Sequence, residues 1–329
     1  MKWLNRYKGF LREIKWFYVL NNLFFRDGLI HNKKLFSKFG IKKSIYAPLS
    51  AKDFKGIAHS ERSWAEQSQN IDEIRKDAKF LAFSEEIQEK IISFREEGYM
   101  ILEKFMDAQE VDGINDEIDA LILEGKLAFN YTKTKIMQSY KYAATVKKTF
   151  QDERLLSILK FLLGRNVIQF QKINFFTGSQ QKPHSDAYHM STFPEGFLIA
   201  AWVALEDIDM EQGPLSFYPG SHRWKQITNE DLPLHQSAWR LDGQANEKYE
   251  TYLANKIAAS QIQPKVFLAK KGDVLIWHSN LIHGGLPMKD AGMSRKSLLM
   301  HYFAENVICY HEISQRPAIF DPILRNINP

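Results

Sequence analysis

The stretch that decides the fold is Phe197-Leu-Ile-Ala-Ala-Trp-Val-Ala-Leu205. It is a short apolar run with no charge, closed by Glu206-Asp207, and this pattern is typical of a buried β-strand. Similar runs, separated by Gly, Pro, Asp or Asn, occur at Val167 to Phe176, Leu215 to Tyr218, Val266 to Leu268, Val274 to Trp277 and Ser297 to Phe303. Several such strands without long intervening helices favour a double-sheet jelly roll.

Helical periodicity dominates the sequence before Gly164. Ser84 followed by two glutamates is a plausible helix start, and a second helix is expected from about Ala108 to Gly125, after a short strand-like segment from Tyr99 to Leu102. We therefore predict a mainly β (α+β) chain whose jelly-roll, cupin-like core spans 164–306. A helical brace at 58–163 precedes this core, a polar insertion at 224–264 interrupts it, and a C-terminal tail at 307–329 follows it.

Residues 1–57 form a basic N-terminal extension. Residues 1–50 contain eleven Lys or Arg and two acids, a net charge of +9, while the whole chain carries +5, so the remainder is acidic by about 4. This split argues against a nucleic-acid-binding core. Apolar residues between Trp3 and Tyr18 recur at helical spacing, which predicts an amphipathic helix that packs on the chain's own core or on a second subunit. The alternative is peripheral contact of residues 1–26 with an anionic membrane surface.

The remaining composition fits a globular protein of a reducing compartment. No apolar stretch approaches the roughly 20 residues that span a bilayer, and the first residues do not read as a secretory signal. Cys309 is the single cysteine, which rules out an internal disulfide and a multi-cysteine zinc site. We expect a cytoplasmic location, with the inner membrane surface as the alternative if the N-terminal helix binds lipid.

Two motifs provide candidate metal ligands. Lys182-Pro-His184-Ser-Asp186 places an imidazole and a carboxylate two residues apart, on the same side of an extended backbone. Downstream, His283-Gly284-Gly285 follows a strand and could supply a third ligand from a facing sheet. Two histidines and one carboxylate form the facial triad that leaves three positions open on iron(II).

Arg295, twelve residues after His283, leads into another apolar strand. A guanidinium directed inward suits a bidentate grip on a dicarboxylate. Ser297 lies two residues further, on the same face of the predicted strand, and could add a hydroxyl donor.

The ordered motifs between residues 93 and 306 resemble the phytanoyl-CoA dioxygenase-like family. The matching blocks are Phe94-Arg-Glu-Glu-Gly98, Pro183-His184-Ser-Asp186, Trp202-Val-Ala-Leu-Glu-Asp207, Gln212-Gly213-Pro214-Leu215, Pro219-Gly220-Ser221-His222-Arg223, Gly272-Asp273-Val-Leu-Ile-Trp-His278, His283-Gly284-Gly285 and Arg295. The resemblance implies a double-stranded β-helix, Fe(II) at His184, Asp186 and His283, 2-oxoglutarate gripped by Arg295, and O2 as oxidant. Ser185 and Leu286-Pro287-Met288 depart from the family pattern, and both could reshape the pocket.

The resemblance also implies a reaction, hydroxylation of an unactivated carbon with release of succinate and CO2, with desaturation and ring closure as open variants. The substrate would be a small or lipid-linked molecule. Gln171 and Asn174 are candidates for the cosubstrate pocket; Tyr188, His189, Trp239 and Arg240 are candidates for substrate contact, with 224–264 as a lid. The alternatives are a jelly-roll metal-binding protein or isomerase with a redox-inert metal, and an inactive scaffold.

Overall fold

The computed structural model describes residues 13–59, 61–67 and 71–321. Most of the helices precede the sheets in the chain, as the sequence predicts. The described helices are α1 (Lys15–Phe24), α2 (Asn32–Lys38), α3 (Ile71–Ile74), α4 (Ala78–Leu81), α5 (Glu85–Glu97), α6 (Ala108–Leu123), α7 (Ala144–Phe150), α8 (Glu153–Leu163), α9 (Asp186–His189) and α10 (Ala245–Ser260). No helix in these described ranges is long and apolar enough to cross a membrane.

Three antiparallel sheets form the β core. The strands are β1 (Tyr99–Leu102), β2 (Lys135–Met137), β3 (Val167–Phe175), β4 (Ser191–Phe193), β5 (Leu198–Ala204), β6 (Leu215–Phe217), β7 (Lys265–Phe267), β8 (Val274–His278), β9 (His283–Gly285), β10 (Ser297–Ala304), β11 (Ile308–His311) and β12 (Arg316–Pro317). The large sheet has the order β1-β8-β5-β10-β3-β2, and the two small sheets are β7-β6-β9 and β12-β11-β4.

Strand β5 shows why these strands are apolar on both faces. All seven of its residues are buried. Ala201 and Val203 pack with the helical brace, whereas Ala200, Trp202 and Ala204 face residues of β6, β7 and β8 in the space between the sheets. Period-2 alternation therefore divides one continuous apolar run between two packed layers. The predicted jelly-roll fold with flanking helices is confirmed.

The brace helices begin and end where capping residues stand. Ser84 caps α5 through its hydroxyl, and Asp107 forms a capping box with Glu110 at the start of α6. Helix α5 ends at Gly98, which has φ 78° and leads directly into β1. This tight exit lets β1 pair with β8, so the brace is continuous with the large sheet.

The described part of the N-terminal extension packs against the chain's own C-terminal segment. Leu29, Leu35 and Phe36 share a buried cluster with Phe193 and with Tyr310 of β11. The residues after 307 are therefore not a simple tail, because β11 pairs with β4 and closes this cluster. The predicted N-terminal helix between Trp3 and Tyr18 falls largely on residues 1–12, which lie outside the described residues. The described helix α1, from Lys15 to Phe24, overlaps only the end of that segment. The division at residue 57 stays a prediction.

Candidate metal centre

Three side chains from distant parts of the chain meet between the sheets. His184 precedes the short helix α9, Asp186 opens it, and His283 begins β9 of the facing small sheet. A single antiparallel bridge joins His184 to His283. The Asp186 Oδ1 atom lies 3.8 Å from the Nε2 atom of each histidine. One ligand atom from each of the three residues lies within 4.8 Å of the others, so one ion can reach all three.

Backbone carbonyls fix which ring nitrogen of each histidine faces the site. The Nδ1 atom of His184 lies 2.9 Å from the Lys182 carbonyl oxygen, and that of His283 lies 3.0 Å from the Leu281 carbonyl oxygen. Since a carbonyl only accepts, each Nδ1–H donates and each Nε2 lone pair points to the cluster. Burial and the neighbouring His283 ring lower the pKa of His184 to about 3, which keeps this imidazole neutral and able to bind a cation.

The second oxygen of Asp186 is held by two residues that the sequence analysis did not identify. Trp277 donates its indole N–H to Oδ2 over 2.8 Å, and the Nε2 atom of His301 lies 3.3 Å from the same oxygen. Burial alone would raise the pKa of Asp186, but the contacts with His283, His301 and His184 hold it well below its usual range. His301 follows Arg295 at an even spacing, so strand alternation could have placed it on the inner face.

Arg295 lies at the other end of the same space. Its side chain is 1% exposed, its Nη1 atom donates to the Gly213 carbonyl over 3.3 Å, and its Nε atom has no partner among the described residues. Burial lowers the pKa of Arg295 to about 10, which still leaves a cation at neutral pH. Within the described part of the chain, Trp202, whose ring lies 5.9 Å from the guanidinium, and Ser297 also have a buried polar atom without a partner. Unpaired buried donors are costly, and a bound carboxylate would satisfy them.

Arg295 is held in place by the motif that contains Gly213. Gln212 donates to the carbonyl of Ser294, the residue before Arg295, and Gly213 accepts from the guanidinium itself. On the other side, the Arg295 backbone N–H donates to Phe176 at the end of β3. The Gln212-Gly213-Pro214 motif therefore has a structural role, which is to hold Arg295 in position.

A cavity of about 200 Å³ joins the two ends of the site. Its wall includes the three clustered residues and Arg295, together with Gln171, His189, Trp202, Trp277 and His301. Among the predicted contacts, Gln171 and His189 line this cavity. Ser297 lies between Arg295 and Leu299 of the cavity wall and alternates onto the same face. A larger cavity of about 600 Å³ elsewhere, lined by residues such as Arg62, Glu66 and Arg223, contains none of the three clustered residues.

Four predicted contacts do not lie in this cavity. Asn174 is buried on the opposite face of β3, where Ser139 donates to it. Tyr188 stacks on Tyr249 at 4.0 Å and donates to Asn229, away from the cavity. Trp239 and Arg240 lie on the outside of the insertion; Trp239 is 73% exposed, and Arg240 pairs with Glu13. Alternation on β3 thus turns Asn174 away from the cavity. Contact of Tyr188, Trp239 or Arg240 with a part of the substrate outside this cavity stays a prediction.

The fold and this site define an iron- and 2-oxoglutarate-dependent oxygenase, with O2 as its oxidant. Residues 94–297 match the family model "Phytanoyl-CoA dioxygenase (PhyH)", and the chain belongs to this family.

The curated relatives and solved structures agree with this assignment. The chain is 23% identical over 238 residues to the peroxisomal phytanoyl-CoA dioxygenase of Bos taurus, covering 65% of this chain and 67% of that protein. Its match to the Mus musculus protein of that name covers only 36% of the relative. It is 24% identical to the ectoine dioxygenase of Nocardia farcinica over 60% of this chain and 71% of the relative.

Two solved structures share the fold. The 2-oxoglutarate-dependent carbocyclase SnoK from nogalamycin biosynthesis aligns with a TM-score of 0.54 and 16% identity, over 76% of this chain and 93% of that chain. EctD from S. alaskensis, solved with 2-oxoglutarate and 5-hydroxyectoine, aligns with a TM-score of 0.52 and 21% identity, over 70% and 78% of the two chains.

Proposed function

We propose that this chain hydroxylates an unactivated carbon of a small-molecule or lipid-linked substrate, with His184, Asp186 and His283 as the iron ligands and Arg295 as the 2-oxoglutarate anchor. The observation that carries the proposal is the placement of a buried, largely unpaired guanidinium in the same small cavity as a His-Asp-His cluster. Two imidazoles and a carboxylate leave three positions of an octahedral iron open, enough for a chelating keto acid and O2.

Each residue of the cavity has a separate task in this proposal. Arg295 binds the distal carboxylate of 2-oxoglutarate, and Ser297 and the Trp202 indole supply further donors. Trp277 and His301 hold Asp186 so that Oδ1 faces the metal. When bound, iron and the keto acid would supply the oxidising power. Substrate C–H, O2 and 2-oxoglutarate become C–OH, succinate and CO2. One atom of O2 enters the hydroxyl group and the other enters succinate. The carboxylate of Asp186 takes the position that a halide ligand would need, which disfavours halogenation.

The size of the cavity restricts how the substrate binds. About 200 Å³ is below the roughly 300–1,000 Å³ of typical small-molecule sites, and the keto acid must share it. Only the part of the substrate that reacts can therefore enter beside the metal, next to His189. The insertion reaches the site through α10, where the Tyr249 hydroxyl accepts a hydrogen bond from the Ser185 backbone N–H over 2.7 Å. This contact couples the insertion 224–264 to the segment that carries two ligands and supports its role as a lid.

An anaerobic titration of the Fe(II)-loaded protein with 2-oxoglutarate tests the cosubstrate assignment. We expect a weak visible charge-transfer band in wild type, its loss or strong right-shift in Arg295→Ala, and an unchanged band in Arg223→Ala, which removes an exposed arginine outside the cavity. Wild type that binds iron but gives no band would favour a jelly-roll protein with a redox-inert metal. For the reaction itself, mass spectrometry of candidate substrates should show a product heavier by one oxygen atom, in equal amount to succinate; loss of two hydrogens instead would point to desaturation or ring closure.

A further inference from the structure

Helix α1 buries polar residues and exposes apolar ones. Its two buried residues are polar, Lys15 at 5% and Asn22 at 1% exposure. Four of its large apolar residues are exposed: Trp16 is 47% exposed, Leu20 43%, Leu23 46% and Phe24 86%. These four residues follow the spacing i, i+4, i+7 and i+8, so they form one stripe on the helix. An exposed apolar stripe of this kind is typical of an interaction surface.

Specific contacts fix the helix in this orientation. The Lys15 ammonium donates to the Ser237 carbonyl over 2.8 Å, and the Asn22 side chain donates to the Tyr46 carbonyl over 2.9 Å. The Lys15 backbone N–H also donates to the carbonyl of Trp239. A rotation that buried the apolar stripe would break all three bonds and leave the carbonyls of Ser237, Tyr46 and Trp239 without these donors.

The apolar surface extends beyond the helix. Phe25 and Ile30, which follow α1, are 57% and 47% exposed, and Trp239 of the insertion, whose carbonyl binds the first residue of α1, is 73% exposed. This backbone bond places the exposed Trp239 of the insertion beside the start of α1. We call this surface, consisting of Trp16, Leu20, Leu23, Phe24, Phe25, Ile30 and Trp239, the apolar face.

Positive charge borders the apolar face. Arg26, Lys33 and Lys34 are exposed just after α1, and between residues 15 and 38 the only acid is Asp27, which lies beside Arg26. We propose that the apolar face is a peripheral docking surface for an anionic lipid bilayer, with the aromatic and aliphatic side chains in the headgroup region and the basic side chains on lipid phosphates. A second copy of the chain fits less well, since symmetric pairing of this face would bring the same three cations together.

Vesicle flotation tests this docking surface on the full chain. The probes are vesicles of phosphatidylcholine alone and vesicles in which about a third of the lipid is phosphatidylglycerol. We expect wild type to bind the anionic vesicles, and the triple variant Leu20→Ser/Leu23→Ser/Phe24→Ser to bind about 1,000-fold more weakly, because each of the three removed side chains contributes roughly tenfold. Lys33→Gln/Lys34→Gln should lose about 30-fold on anionic vesicles and little on neutral ones. The matched control Leu81→Ser/Leu123→Ser removes exposed leucines outside the face and should bind as wild type does.

A second measurement does not depend on the serine variants folding. Lipids brominated near the headgroup should quench part of the tryptophan fluorescence of wild type, and Trp16→Phe/Trp239→Phe should lose that quenching while still binding. Wild type that does not float with anionic vesicles overturns the proposal, as does a triple variant that floats like wild type. If wild type does not bind vesicles and the triple variant differs from it in molecular mass in solution, the apolar face contacts a second copy of the chain instead.

Discussion

Replacing Trp277 with phenylalanine should weaken iron binding. The indole N–H of Trp277 is 2.8 Å from Asp186 Oδ2, in a buried site. A hydrogen bond to a buried charged group contributes about 1.5–3 kcal/mol, and about 1.4 kcal/mol corresponds to a tenfold change in an equilibrium constant. The expected loss in Fe(II) affinity is therefore roughly 10- to 100-fold, which is also the usual effect of removing a group that orients a metal ligand. The contact from His301 remains and favours the lower half of this range.

Trp202→Phe is the matched control. Trp202 is as deeply buried as Trp277 and lies between the same sheets, but its indole nitrogen has no partner and its side chain belongs to the Arg295 end of the cavity. Both variants lose the same atoms from the interior, so the lost packing should cost them a similar amount of unfolding free energy, and Trp277→Phe also loses its hydrogen bond to Asp186.

The assay is an anaerobic competition of each variant with a coloured Fe(II) chelator, without 2-oxoglutarate, together with urea denaturation of the metal-free proteins. Our reasoning predicts a selective loss of iron affinity in Trp277→Phe. Fe(II) dissociation constants that are equal in the two variants would refute a role of Trp277 in orienting Asp186. If both constants are also higher than that of wild type by the same factor, only packing is involved.

Three further predictions concern stability. Burial raises the pKa of Glu312 to about 7 from an ordinary value of 4.5, so this group contributes stability at low pH that is lost as the pH rises from about 4.5 to about 7, by about 3 kcal/mol; the difference in unfolding free energy between wild type and Glu312→Gln should show this slope, and a flat difference would contradict it. Tyr249→Phe leaves the backbone N–H between two proposed ligands without its acceptor and should lower the unfolding free energy by about 1–3 kcal/mol in urea denaturation, while no loss would mean that the lid does not hold this segment. Gly98→Ala should destabilise by about 1–3 kcal/mol more than Gly125→Ala, because both glycines have positive φ but only at Gly98 would a Cβ meet the ring of His222; equal losses would show that the ring can move aside.

The sequence alone was sufficient for the core of this protein, for local reasons. Uninterrupted apolar runs such as Phe197 to Leu205 can be buried only on both faces, and capping residues such as Ser84 and Asp107 mark helix starts through bonds to their own backbone. His184 and Asp186 are neighbours in the chain, so their approach needs no tertiary information. The distinctive motifs between residues 94 and 297 were sufficient to indicate the family.

Tertiary structure decided what depends on face and direction. Gln171 and Asn174 are three residues apart on β3, so alternation cannot place both in the cavity, and only the packed sheets show that Gln171 is the inner one. An irregular register opposite Met300 and Tyr302 brings Gln169 and Lys172 to one side, where they share a hydrogen bond.

The side chains around the site depend on long-range contacts in the same way. Trp277 and His301 contact Asp186 from two different strands, and they are 91 and 115 residues away from it in the sequence. A local sequence pattern cannot predict contacts between residues so far apart in the chain. Trp239 does not line the cavity, since its backbone binds the N-terminal segment and its side chain is exposed. Local chemistry fixed the strands and the ligand pair, while the packing of distant segments decided which side chains surround the metal and which apolar residues remain on the surface.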